Sequence, residues 1–306
     1  MMRKRKKYML IGCTSLLVIL IGIGGVIGNY FYNTSLNPNA SNRTLPGSSK
    51  NEKSPNWILD ESNYVDSYIT SNDNLNLHAY EIHNNSNIWV ITVHGYNGQG
   101  FKMDGYAKEF YNMGYNILAP DLRGHGKSQG DYIGMGWDDR LDIVNWINYI
   151  TEKDEKAKII LHGISMGAAT VMMTSGEDLV DNVKCIIEDS GYTSVWDEFS
   201  HELKTIFNLP NTPILQLANI VTKVRAGYFF SDASSVKQLK KDKKPILFIH
   251  GDQDNFVPYY MLDAVYNSVD VEKEKLVIEG AAHTKALEVN PDLYWEKIGE
   301  FINKYI

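Results

Sequence analysis

From Ile88 to the C-terminus the chain keeps returning to one pattern: a short apolar run almost without charge, then a longer stretch with a helical period. The runs are Ile88 to His94 ("IWVITVH"), Tyr115 to Ala119, Lys158 to His162, Val183 to Glu188, Pro245 to His250 and Lys275 to Ile278. Phe101 to Met113, Trp137 to Glu155, Met166 to Ser175, Tyr259 to Ser268 and Asp292 to Tyr305 have the spacing of helices. In "WDDRLDIVNWINYI", Leu141, Val144, Ile147 and Ile150 recur every three residues and predict one buried face. A strand with one face in water alternates apolar and polar residues; these runs do not, so both of their faces must be covered. Such strands interleaved with helices specify an α/β fold, a mostly parallel sheet with helices on both sides. Upstream, Val65 to His83 does alternate, and "SNDN" in its middle suits a turn between two antiparallel strands.

One interval breaks the rhythm. Gly191 to Lys244 separates two strands and carries Trp196, Phe199, Ile206, Phe207, Leu215, Ile220, Tyr228 and Phe229, far more than a crossover helix needs. The excess predicts a small helical cap at 191–244 over the carboxyl edge of the sheet. That edge is where open α/β sheets place reactive groups.

The first residues follow other rules. Arg3, Lys4, Arg5, Lys6 and Lys7 precede Met9 to Ile27, which carries no charge over 19 residues. As a helix that segment is about 28 Å long, close to the hydrocarbon thickness of a bilayer. Positive flanking charge holds its N-terminal side in the cytoplasm. Residues 1–32 therefore read as a basic tip and a transmembrane signal-anchor, with the rest of a single-pass protein on the extracellular side of the cell membrane. Cys13 sits near the start of the apolar run, the wrong order for a lipoprotein box. Gly24 and Gly28 form a G-x-x-x-G pair, which in a glycine-rich segment arises readily by chance. Residues 33–56, rich in Asn, Ser, Pro and Gly, have no hydrophobic period and read as a flexible linker.

Composition narrows the chemistry. A net charge of -7 argues against nucleic acid as a partner, since phosphate binding needs a basic surface. Two cysteines make no disulfide framework, no Cys/His spacing suggests a metal site, and no cofactor is expected. "GHGKS" at Gly124 to Ser128 is not a phosphate loop, because Asp121 stands where that motif needs glycine.

At Gly163-Ile164-Ser165-Met166-Gly167 a strand-forming run passes through serine into a helix-forming one. A sharp strand-to-helix turn holds such a serine in strained backbone, and the helix beginning at Met166 points its positive end at the site. A serine hydroxyl attacks only when a base takes its proton, and a carboxylate must orient that base. His283, in "EGAAHTKAL" after the last strand, is the best placed of the eight histidines. For the carboxylate, Asp252 and Asp254 in "FIHGDQDNFVP" both qualify by position.

With "VHGYNG", "APDLRGHGKS", "GISMG", "FIHGDQDNFVP" and "GAAH", the chain resembles the α/β-hydrolases from about Tyr64 to Ile306. It is similar to membrane-anchored or secreted bacterial serine hydrolases with a short cap, grouped with esterases and S9/S33-type peptidases. The resemblance implies an α/β-hydrolase domain over 57–306 and a catalytic set Ser165, Asp254, His283. It leaves Asp252 as a loop brace, with Glu188 and Asp189 as alternative acids from the strand before the cap. It also implies an oxyanion hole of the Tyr96 and Met166 backbone N–H groups, and makes Arg123 and His125 scaffold. The expected reaction is hydrolysis of a carboxylic ester through an acyl-enzyme. Amide cleavage is the alternative, and an inactive surface binding module the reading from another class.

Overall fold

Both faces of the sheet are covered, as the unbroken apolar runs require. The computed structural model describes residues 2–40 and 56–306 of the protein. Strands β1 (Val65–Thr70), β2 (Asn76–Ile82), β3 (Ile88–Val93), β4 (Asn116–Pro120), β5 (Lys158–Ile164), β6 (Val183–Asp189), β7 (Ile246–Gly251) and β8 (Lys273–Ile278) form one sheet in the order β1-β2-β4-β3-β5-β6-β7-β8. β2 pairs antiparallel with β1 and β4, and the pairs from β4 to β8 are parallel. Within β5, Ile159 and Leu161 join one hydrophobic cluster while Ile160 joins the other. β6 divides Ile186 from Cys185 and Ile187 in the same way. Since successive side chains point to opposite faces, a strand buried on both must be apolar throughout.

One cluster is closed by helices α3 (Asp139–Lys153) and α4 (Met166–Ser175), the other by α2 (Asp104–Asn112) and α10 (Pro291–Ile302). The α3 face differs from the expected stripe. Ile143, Trp146, Ile147 and Ile150 are buried with Asp142, whereas Leu141 and Val144 are only partly covered. Spacing by threes drifts: nine residues leave a 3.6-residue helix about 180° from where it began, so Leu141 and Ile150 cannot share a face. Buried Arg123 also draws Asp142 inward, donating to both carboxylate oxygens at 2.8 Å.

Between β6 and β7 lie α5 (Val195–Thr205), α6 (Asn211–Ala226) and the short α7 (Ser235–Leu239). Phe199, Leu215 and Tyr228 are buried among them, but Ile206, Phe207 and Ile220 remain exposed. α8 (Tyr260–Asn267) and α9 (Ala286–Val289) complete the set of helices described after β7.

The N-terminal helix departs from expectation. α1 runs from Met2 to Leu36, so 33–36, expected in the linker, are helical. Leu36 is fully buried, and its carbonyl accepts from Ile133 N–H at 2.8 Å. Asn33 and Asn29 both accept from Arg225 on α6, whose guanidinium also lies 4.1 Å from the Tyr32 ring centre. These tertiary partners extend the helix into a segment whose composition favours turns. The Gly24–Gly28 pair has a packing role here, since a Cβ on Gly28 would sit 2.5 Å from the Leu217 carbonyl oxygen. The 24 residues Cys13–Leu36 are long and apolar enough to cross a membrane. Of the rest of the expected linker, 37–40 continue from α1 without helix and 41–55 lie outside the described residues.

Candidate active site

Ser165 sits between the end of β5 and the first turn of α4, with φ 54° and ψ −119°. That is left-handed territory that an L-residue enters only under constraint. The constraint is the close passage of backbones on either side. A Cβ at Gly163 would lie 2.2 Å from the Gly167 carbonyl oxygen, and one at Gly167 would lie 2.0 Å from that of Val93. Ser165 N–H donates to the Asp189 carbonyl on the neighbouring strand at 2.8 Å, which ties the turn to the sheet.

The hydroxyl of Ser165 is 2.9 Å from His283 Nε2, and His283 Nδ1 is 2.7 Å from Asp254 Oδ2. The other carboxylate oxygen of Asp254 accepts the N–H groups of Phe256 and Val257, both at 2.9 Å. Burial pushes the Asp254 carboxyl up, yet hydrogen bonds from His250 and His283 outweigh it and hold the group at about 2. An ionised Asp254 takes the Nδ1 proton of His283 as its hydrogen bond, which leaves Nε2 to accept from the serine. The loop carrying His283 follows β8, and the Phe256 ring lies 4.9 Å from the imidazole.

The competing carboxylates have other partners. Asp252 accepts from Gly280 N–H at 2.7 Å and so braces the loop that leads to His283. Glu188 is buried, accepts from Gly191 N–H, and is pushed up to about 8 by that burial. Asp189 accepts from Tyr294 and Ser190 hydroxyls. His250, near the end of β7, stands 3.3 Å from Asp254 Oδ2 and 3.0 Å from the Val257 carbonyl oxygen. Its one legible signal was the spacing of four residues to Asp254.

Met166, which follows Ser165, and Tyr96 both line the cavity with it. The loop bearing Tyr96 is set by His94, which is fully buried and pushed down to about 4 by that burial. As a neutral ring it donates from Nδ1 to the Gly95 carbonyl and accepts at Nε2 from Leu122 N–H. Asp121 accepts from Gly100 and Lys127 N–H and from His78, so "DLRGHGKS" is a turn that holds this loop. Arg123, paired with Asp142 and Asp73, belongs to the same scaffold.

The cavity above Ser165 has a volume of about 270 Å³. Met135, Tyr192, Phe199 and Phe256 give it apolar walls. Two groups in it had no signal in the sequence. Glu198 and Glu202 face it from α5, and both Glu198 oxygens are without a hydrogen-bond partner. Tyr30, Thr34 and Ser35 face it from α1. The Tyr96 side chain donates from its hydroxyl to the Ser35 carbonyl at 2.6 Å. Among the described residues no cluster of His, Cys, Asp or Glu is arranged to hold a metal ion.

A family model described as serine aminopeptidase, S33 matches residues 84–243, more than half of the chain. The matched span holds Tyr96, Ser165 and Met166 and ends before Asp254 and His283. Over 215 residues, 70% of either protein, the chain is 27% identical to the uncharacterized protein YqkD of Bacillus subtilis. It is 23% identical over 254 residues to the thermostable monoacylglycerol lipase of Bacillus sp. (strain H-257), covering 72% of this chain and 92% of that one. Among solved structures, the Pyrococcus furiosus esterase Pf2001 superposes with a TM-score of 0.68 at 27% identity, over 86% of this chain and 99% of that one. Sheet order, the strained turn at Ser165 and these matches agree: the chain belongs to the serine aminopeptidase S33 family of the α/β-hydrolase superfamily and is a hydrolase.

Proposed function

We propose that the protein is a serine hydrolase that cleaves carboxylic esters through an acyl-enzyme. The observation that carries this reading is the unbroken hydrogen-bonded chain from Ser165 Oγ through His283 to Asp254 at the floor of an apolar cavity. Ser165 Oγ attacks the acyl carbonyl while its proton passes to His283 Nε2. The imidazolium so formed faces the ionised Asp254. Negative charge growing on the carbonyl oxygen is held by the Met166 and Tyr96 backbone N–H groups, with the N-terminus of α4 behind Met166. His283 returns the proton to the leaving alcohol, and water then attacks the acyl-enzyme with His283 again as base. α1 holds this site at the membrane with the basic tip in the cytoplasm, and α5 to α7 form the cap.

One observation favours amide substrates as a second reading. Glu198 and Glu202 are carboxyls inside the cavity; burial pushes both up, and Glu202 adds to the effect on Glu198. A substrate ammonium group would satisfy the unpartnered Glu198 oxygens, and that is what an aminopeptidase would bind. The deciding experiment is kcat/KM of the full chain for p-nitrophenyl esters beside aminoacyl p-nitroanilides. Ester turnover that is unaffected by a free α-amine supports the first reading. Turnover confined to anilides with a free α-amine, and lost in Glu198→Gln, replaces it with the second.

A further inference from the structure

The end of the anchor helix is built into the substrate cavity. Tyr30 and Thr34 lie one turn apart on one helical face, and with Ser35 at its border they line the same space as Ser165. This face is pinned at several points. Tyr96, the residue whose N–H faces the reacting carbonyl in the reading above, donates its hydroxyl to the Ser35 carbonyl. Leu36 is tied to Ile133, and Arg225 reaches Asn29 and Asn33. Gly28 lets α6 approach to a distance no larger residue would permit. The cavity also continues between helices: a smaller space of about 30 Å³ shares Ser35, Phe199, Glu202 and Phe207 with it and ends at Leu215 on α6. Phe31 lies on this branch, its ring 6.2 Å from that of Phe207. The apolar run ends at Ile27, ahead of Asn29, so Tyr30 stands only about 4.5 Å further along the helix axis.

We propose that α1 is a specificity-determining wall of the active site, with Tyr30 and Thr34 setting the length of acyl chain that reaches Ser165. The chain lies in the main cavity between Tyr30 and Thr34 of α1 and Phe199 of the cap, and the segment that anchors the protein also selects its substrate. This inference rests on the reading of Ser165 as an acyl-transfer nucleophile. It differs from that reading in what it predicts for residues far from Ser165 in sequence.

The test uses the full chain in phospholipid nanodiscs, with p-nitrophenyl butyrate and p-nitrophenyl laurate as probes. Tyr30→Ala opens the wall and Thr34→Trp narrows it. The expected result is a change in the laurate-to-butyrate ratio of kcat/KM of roughly tenfold or more, upward for Tyr30→Ala and downward for Thr34→Trp, the scale of pocket-size discrimination. A general loss of folding lowers both esters together and cannot move the two variants in opposite directions. Ratios equal to wild type in both variants, or shifted the same way in both, overturn the proposal and leave the hydrolase reading standing. Wild-type protein with no ester turnover and no fluorophosphonate labelling overturns the hydrolase reading and this inference with it.

Discussion

Replacing Asp254 by asparagine separates the orienting role of the carboxylate from its packing. Oδ1 accepts two backbone N–H groups at 2.9 Å, an arrangement that fixes which end of an asparagine faces which way. Its carbonyl keeps those bonds, and its NH₂ group turns to His283 Nδ1, where Oδ2 stood 2.7 Å away. A donor now faces a donor. The ring resolves the conflict by moving its proton to Nε2, the atom that must accept from Ser165. In the Ser-His-Asp template this wrong tautomer lowers kcat by about 10⁴, equivalent to about 5 kcal/mol of transition-state stabilisation. Stability falls far less, by about 1–3 kcal/mol, because the two N–H groups stay satisfied and only the charge-assisted bonds are lost. The assay is ester kcat of folded Asp254→Asn against wild type, with a thermal melt on the same samples. A folded variant within about tenfold of wild-type kcat refutes the reasoning and returns the acid to Glu188 or Asp189.

Ser165→Gly abolishes turnover yet leaves stability unchanged or raised by about 1 kcal/mol, since relief of the positive φ offsets the entropy of glycine; a melting temperature well below wild type counts against strain at the turn. Gly167→Ala drives a methyl to 2.0 Å from the Val93 carbonyl oxygen and costs about 3 kcal/mol or more by denaturant titration, whereas a neutral result denies the close approach. Glu188, pushed up from 4.5 to about 8 by burial, favours the fold while protonated, so its contribution is complete below pH 4.5 and is lost as pH rises towards 8. Glu188→Gln therefore flattens the fall of melting temperature across that window; an identical pH profile in the variant excludes Glu188 as its cause.

Strand order along the chain, the turn at Gly163 to Gly167 and the loop bearing His283 were all legible, because each depends on local chemistry. An apolar run that does not alternate demands two covered faces, and a glycine on each side of a serine at a strand end permits one kind of turn. Asp254 was narrower: spacing left it level with Asp252 until resemblance chose between them, and the partners in space are Gly280 N–H for Asp252 and His283 for Asp254. The α3 face was misread because repeats of three drift around a 3.6-residue helix. What could not be read was how remote segments meet. Nothing local to Tyr30, Thr34 or Ser35 says that they border Ser165, because Arg225 on α6 and Tyr96 after β3 hold them there. Likewise the amphipathic α5 has several polar residues, and only its seating over the sheet turns Glu198 and Glu202 inward.

The most direct measurement is fluorophosphonate labelling of the full chain followed by peptide mass spectrometry, beside Ser165→Ala and His283→Ala. A serine hydrolase of this geometry gives one adduct on the peptide containing Ser165, absent from Ser165→Ala and formed far more slowly in His283→Ala. Labelling that survives in Ser165→Ala, or maps to another residue, contradicts the assignment of Ser165 as the nucleophile.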